Sequence, residues 1–107
     1  MAEFVKVANT SDLAPGQVKL VEVGERWVAL FNVGGQFYAI EDRCTHDDGP
    51  LAEGMLDGHV IMCPRHGATF DVRTGAALTF PAVTPVPAHE VKIEGDAVLV
   101  STQRKRK

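Results

Sequence analysis

Each of the two cysteines in this 107-residue chain is followed closely by a histidine: Cys44-Thr45-His46 and Cys63-Pro64-Arg65-His66, with 16 residues between the two segments. Thiolates and neutral imidazoles bind iron and zinc, and four such donors complete a tetrahedral site or a binuclear cluster. In a reducing compartment a single pair of cysteines points to metal ligation or redox work ahead of a structural disulfide. A fold for this chain therefore has to bring two separated loops to one place.

The remainder reads as short strands punctuated by Gly, Pro and Asp. Phe4 to Ala8 and Gln17 to Val23 fit two early strands. Trp27 to Val33 and Gln36 to Ile40 flank Gly34-Gly35, a two-residue loop suited to the positive φ angles of a tight hairpin turn. A second hairpin runs from Glu90 to Glu94, turns at Gly95-Asp96 and returns over Ala97 to Thr102, with Val91 and Ile93 alternating with charges. Between the hairpins, Asp42 to Asp71 is dense in Cys, His, Asp, Gly and Pro, with a strand-like His59 to Met62 inside it. Loops of such composition commonly carry function.

The expectation is an all-β chain with one domain over residues 1–103, since this length supports a single core and no separate cofactor-binding domain. Residues 104–107, Arg104-Lys105-Arg106-Lys107, read as a basic, disordered tail. Without them 7 cations face 14 carboxylates, a net charge of −7, which argues against nucleic acid as a partner. The longest apolar runs fall far short of the roughly 18 residues needed to cross a bilayer. The first residues lack the basic and apolar regions of an export signal, so a cytoplasmic location is expected.

Structural zinc sites usually group like ligands, two cysteines in one knuckle and two histidines on a helix. In this chain each loop brings one of each kind. If both loops face one cluster, the cysteines can hold one iron and the histidines the other, which is the Rieske arrangement. The two motifs, with Gly67 directly after the second, resemble the Rieske 2Fe-2S signature. The flanking hairpins, Gly49-Pro50-Leu51 and the Val72-Arg73-Thr74-Gly75 turn extend the likeness to small bacterial Rieske ferredoxins along nearly the whole chain.

That resemblance implies a Rieske fold, an antiparallel β-sandwich or barrel with a small cluster-binding subdomain inserted over about residues 42–82. It implies one 2Fe-2S cluster, with Cys44 and Cys63 on the inner iron and His46 and His66 on the outer iron near solvent. Pro81 falls where the family has a third loop over the cluster, a position equally open to a plain turn proline. His59 and His89 lie outside the motifs and are expected to be structural or at the surface.

The resemblance also implies an electron carrier, a monomer and not itself a catalyst. It would take electrons from an NAD(P)H-dependent flavoprotein ferredoxin reductase and pass them to a terminal oxygenase, in a dioxygenase system that hydroxylates aromatic rings. Two alternatives stand beside it: a bound small subunit of a multicomponent enzyme such as a nitrite reductase, and a zinc module using the same four ligands. High-potential Rieske proteins carry an extra cysteine in each loop, where Gly49 and Arg65 stand in this chain. They also place serine and tyrosine hydroxyls against the cluster sulfurs, where this chain has Ala68 and Phe70. A potential near the bottom of the Rieske range, roughly −150 mV, is therefore expected. Glu41, Asp42, Asp47, Asp48, Glu53 and Asp57, partly offset by Arg43 and Arg65, suggest an acidic rim that docks on basic surfaces.

Overall fold

The computed structural model describes residues 3–42, 51–63, 67–79 and 85–104. Among the described residues, nine strands form two antiparallel sheets. The larger contains β1 (Phe4–Asn9), β2 (Val18–Val23), β3 (Arg26–Val33), β4 (Gln36–Glu41), β8 (Ala88–Glu94) and β9 (Ala97–Arg104), in the order β1-β9-β8-β4-β3-β2. Its edge strands β1 and β2 approach one another, so the sheet nearly closes into a barrel. The smaller sheet, β5 (Met55–Asp57), β6 (Val60–Met62) and β7 (Thr69–Asp71), is inserted between β4 and β8.

β3 shows why the two sheets belong to one body. From Val28 its run Val-Ala-Leu-Phe does not alternate with polar residues because both of its faces are covered there. Val28 and Leu30 point into the barrel interior with Val21, Val23, Ala39, Val98 and Val100. Ala29 and Phe31 point the other way, into a second core shared with Ile61, Cys63, Phe70 and Val72 of the insertion. Phe31 and Phe70 are fully buried, each contributing on the order of 1.5–3 kcal/mol of apolar transfer energy.

Both expected hairpins are present. Gly34 and Gly35 take φ of 59° and 95°, pairing Val33 with Gln36, and the buried Asn32 side chain accepts from the Gly35 amide at 2.9 Å. β5, β7 and two single turns of 3-10 helix, Thr10–Asp12 and Leu51–Glu53, were not foreseen. Three-residue strands are too short for alternation to stand out from loop sequence.

Two expectations at the ends of strands require correction. Arg104, expected to open the basic tail, instead closes β9. Its Nε and Nη2 donate to the two carboxylate oxygens of Glu41 at 2.7 and 3.1 Å. Glu41, expected on the acidic rim, is buried. It also accepts from Arg26 at 3.1 Å and from His89 Nε2 at 3.0 Å, so four donors fill a carboxylate with about four lone-pair sites. His89 is itself fully buried, and its Nδ1 lies 2.8 Å from the Ser101 carbonyl oxygen. This group ties β3, β4, β8 and β9 together three residues before Cys44.

Gly75 fixes the other side of the insertion. It has φ +81°, and a Cβ there would stand 1.8 Å from the Val86 carbonyl oxygen. The close approach lets its own carbonyl accept from the Val86 amide at 2.7 Å, joining the insertion to the chain leading into β8.

Gly75→Ala is expected to cost about 4 kcal/mol or more, because strain and a backbone clash combine. Gly95→Ala, with φ +60° but nothing within 4 Å of the added Cβ, should cost only about 1 kcal/mol. Urea unfolding of both variants checks the contrast.

Burial raises the Glu41 pKa, but hydrogen bonds from Arg104, His89 and Arg26 outweigh it and hold it at about 2 against an ordinary 4.5. A depressed folded-state pKa means the stabilisation is complete above the unfolded value and is lost as pH falls through the folded one. Glu41→Gln should therefore lose up to about 3 kcal/mol at neutral pH. The gap from the native chain should close between pH 4.5 and about 2, as followed by urea unfolding at stepped pH.

Candidate metal centre

The register of the small sheet gathers three separate parts of the chain. Met55 pairs with Met62, and Met62 with Thr69. Beyond β7 the chain turns back through the Asp71–Gly75 turn, where Phe70 bridges Ala77 and the Leu78 amide donates to the Thr69 carbonyl at 2.8 Å. Thr79 Oγ1 then accepts from the Thr69 amide at 3.2 Å and lies 2.7 Å from Thr69 Oγ1. In consequence Leu51–Glu53 after the first motif, Cys63 and Gly67 around the second, and Thr79 before the Pro81 segment all emerge at one end of this sheet.

The base of the first motif is cinched to the same place. Asp42 donates its amide to the Trp27 carbonyl at 3.0 Å, and its Oδ1 accepts from the Ala52 amide at 2.6 Å. Cys63, which opens the second motif, and Gly67 and Ala68 just after it are tied by backbone hydrogen bonds. The Cys63 amide donates to the Ala68 carbonyl at 2.7 Å, and the Gly67 amide to the Cys63 carbonyl at 3.2 Å. Gly67 has φ +75°, which a residue with a side chain rarely adopts.

Cys63 is 1% exposed, packed in the core beside Ala68 and Phe70, and forms no disulfide. A buried thiol at the edge of a core, at the end where the three segments meet, fits a soft metal donor whose backbone is already fixed. Cys44, His46, His66 and Pro81 lie outside the described residues, as do Arg43, Asp47, Asp48, Gly49 and Arg65. His59 is exposed in the β5–β6 turn at the opposite end of the small sheet, edge-on to Tyr38 at 6.1 Å. His89 belongs to the Glu41 group, so both residues keep structural or surface roles.

Charge at this end differs from a simple acidic rim. Glu53 is exposed at this end, but Asp42 is engaged with Ala52 and Glu41 with its arginines. Exposed Asp57 pairs with Val60 at the far end of the small sheet, as does Asp71, which is held below the usual carboxylate range, first by hydrogen bonds from the Arg73 side chain and despite partial burial. The Asp42 tie, the Thr69–Thr79 pair and the Glu41 group escaped the sequence reading. Residues that meet from positions 10 or 63 apart leave no local pattern, though two threonines flanking a glycine turn offered a weak hint.

Known proteins give the same picture. The family model described as the Rieske [2Fe-2S] domain matches residues 3–103. The ferredoxin component of biphenyl 2,3-dioxygenase from Rhodococcus jostii (strain RHA1) is 44% identical over 100 residues, covering 94% of each chain. Ferredoxin CarAc of Metapseudomonas resinovorans is 43% identical over 103 residues, covering 95% of this chain and 96% of that one. A solved complex of reduced oxygenase and oxidized ferredoxin in carbazole 1,9a-dioxygenase contains a chain that superposes with a TM-score of 0.92 at 42% identity, 97% of each chain being covered. With an inserted three-stranded sheet presenting Cys63 at its tip, and relatives matched from end to end, this chain belongs to the Rieske [2Fe-2S] domain family.

Proposed function

We propose that Cys44 and Cys63 hold one iron and His46 and His66 the other of a single 2Fe-2S cluster, and that the protein carries one electron at a time. The observation that supports this most directly is the register of β5, β6 and β7. It brings the flanks of both Cys-His motifs to one end of the small sheet, with Cys63 buried there. When bound, such a cluster supplies a one-electron redox change, and the protein sets its potential, exposure and docking.

The chain's own residues set a low potential. Ala68 and Phe70 are fully buried beside Cys63, and neither offers a hydroxyl to a sulfur. A less stabilised reduced state follows. Exposed Glu53, at the same end of the small sheet as Cys63, acts in the same direction by disfavouring an added negative charge.

The names of the relatives support a terminal oxygenase acting on aromatic rings as the acceptor. The donor in this reading is a reductase of the NAD(P)H-dependent flavoprotein class, which the resemblance to small Rieske ferredoxins implies. No described helix is long and apolar enough to cross a membrane, which accords with work as a cytoplasmic shuttle. The chain holds no catalytic residue of its own in this reading. As a free carrier it should run as a monomer in size-exclusion chromatography, whereas a bound subunit would co-elute with a larger protein.

Anaerobically reconstituted protein is expected to contain about two irons and two acid-labile sulfides per chain and to give a reduced-state EPR signal. Cys63→Ser should lose the iron, the sulfide and the signal, while a colourless, EPR-silent zinc protein would overturn the reading. Voltammetry should give a potential of roughly −150 mV. Stopped-flow reduction by the reductase should slow as ionic strength rises.

A further inference from the structure

The outward face of the small sheet carries large apolar side chains that the fold does not use. Residues directly opposite in an antiparallel pair point to the same face. Met55, Met62, Thr69 and Leu78 therefore form one row across the sheet, on the side away from buried Ile61 and Phe70 and partly buried Leu56. Met55 is 71% exposed, Leu78 47% and Met62 38%. The row is the one at the cluster end: Met62 directly precedes Cys63, and a Cβ on Gly67 would stand 4.0 Å from Met62 Sδ. Isolated apolar residues on a surface need no explanation, but three in one row beside a redox site do.

Resting on the electron-carrier reading above, we infer that this row is the contact surface for the terminal oxygenase, and that the oxygenase meets it with an apolar patch edged by basic side chains. The charge pattern selects that partner chemistry. Asp57 lies on the same face two residues from Met55, and Glu53 is exposed just before it. An apolar strip with carboxylates along one margin is complementary to an apolar strip with lysines or arginines along the matching margin. Methionine suits such a surface because its unbranched, polarisable chain adapts to the partner's shape and excludes water. The position beside Cys63 makes the apolar contact and electron transfer parts of one encounter: water is expelled close to the cluster only when the partner is seated.

The test uses reconstituted full-length Met55→Gln/Met62→Gln and Leu78→Gln, with Ile93→Gln as control. Ile93 is as exposed as Leu78 (45%) but lies on β8 of the barrel, five residues from the start of that strand. Each protein is chemically reduced and mixed with the oxygenase in a stopped-flow instrument, which removes the reductase from the measurement. The methionine double variant should show a concentration for half-maximal rate raised about tenfold or more, with the limiting rate and the EPR spectrum unchanged. Because the contact is apolar, that ratio should persist at high ionic strength. Leu78→Gln should show a smaller effect of the same kind, and the control none.

Native-like affinity in the double variant with an intact cluster would overturn the docking surface. A parallel stopped-flow mix with the reductase in which the double variant is slow, while its kinetics with the oxygenase stay native-like, would overturn it too and assign the row to the other partner. Failure of every protein, native included, to hold a cluster would instead sink the electron-carrier reading on which this inference rests.

Discussion

The pairing of three-residue strands β5, β6 and β7 is the constraint on which the site depends. A one-residue slip would turn Ile61 and Phe70 outward and Met62 inward, removing two fully buried side chains from the core shared with Phe31. The same slip would move Cys63 away from the segments it has to meet. Hydrophobic burial on one face of the sheet thus sets the position of Cys63, the proposed ligand, at its end, and that position inherits the stability of the core.

Short strands cannot hold a register alone, and the insertion is pinned at its margins by contacts unrelated in sequence. Asp42 clasps Ala52, Gly75 exchanges a close backbone contact with Val86, and Thr69 meets Thr79. Behind the first clasp stands the buried Glu41 group. A buried carboxylate with one partner removed is costly, but with four donors it locks the ends of β3, β4, β8 and β9 together. The bidentate fork from Arg104 makes the final residue of β9 part of the site's foundation.

Much of this was legible in the sequence, and for identifiable reasons. The hairpin at Gly34-Gly35 announced itself because only a residue without a side chain readily takes two successive positive φ angles. The Cys-His motifs did so because two thiols and two imidazoles at such spacing have few other uses. What escaped notice was non-local. Nothing near Glu41 distinguishes it from Asp42 as a rim carboxylate; its burial is decided by Arg104, 63 positions away. Arg104 itself looked like the first of four basic tail residues until the strand preceding it was seen to extend through it. The outward row of Met55, Met62 and Leu78 was invisible for the same reason, since its members become neighbours only through strand pairing.

The division of labour that results is suited to an electron carrier. Cys63 belongs to the same packed cluster as Phe31 of the barrel and Phe70 of the insertion, so moving it would disturb a close-packed interior in which small shifts are resisted. In its proposed role as a cluster ligand, a side chain held this way would change little in geometry when the charge beside it changes. Directly before Cys63, Met62 at the end of β6 is exposed, and a methionine side chain is adaptable. Two consecutive residues at the end of β6 and just past it thus serve different ends, Cys63 buried in the packed core and Met62 exposed on the surface proposed to meet another protein.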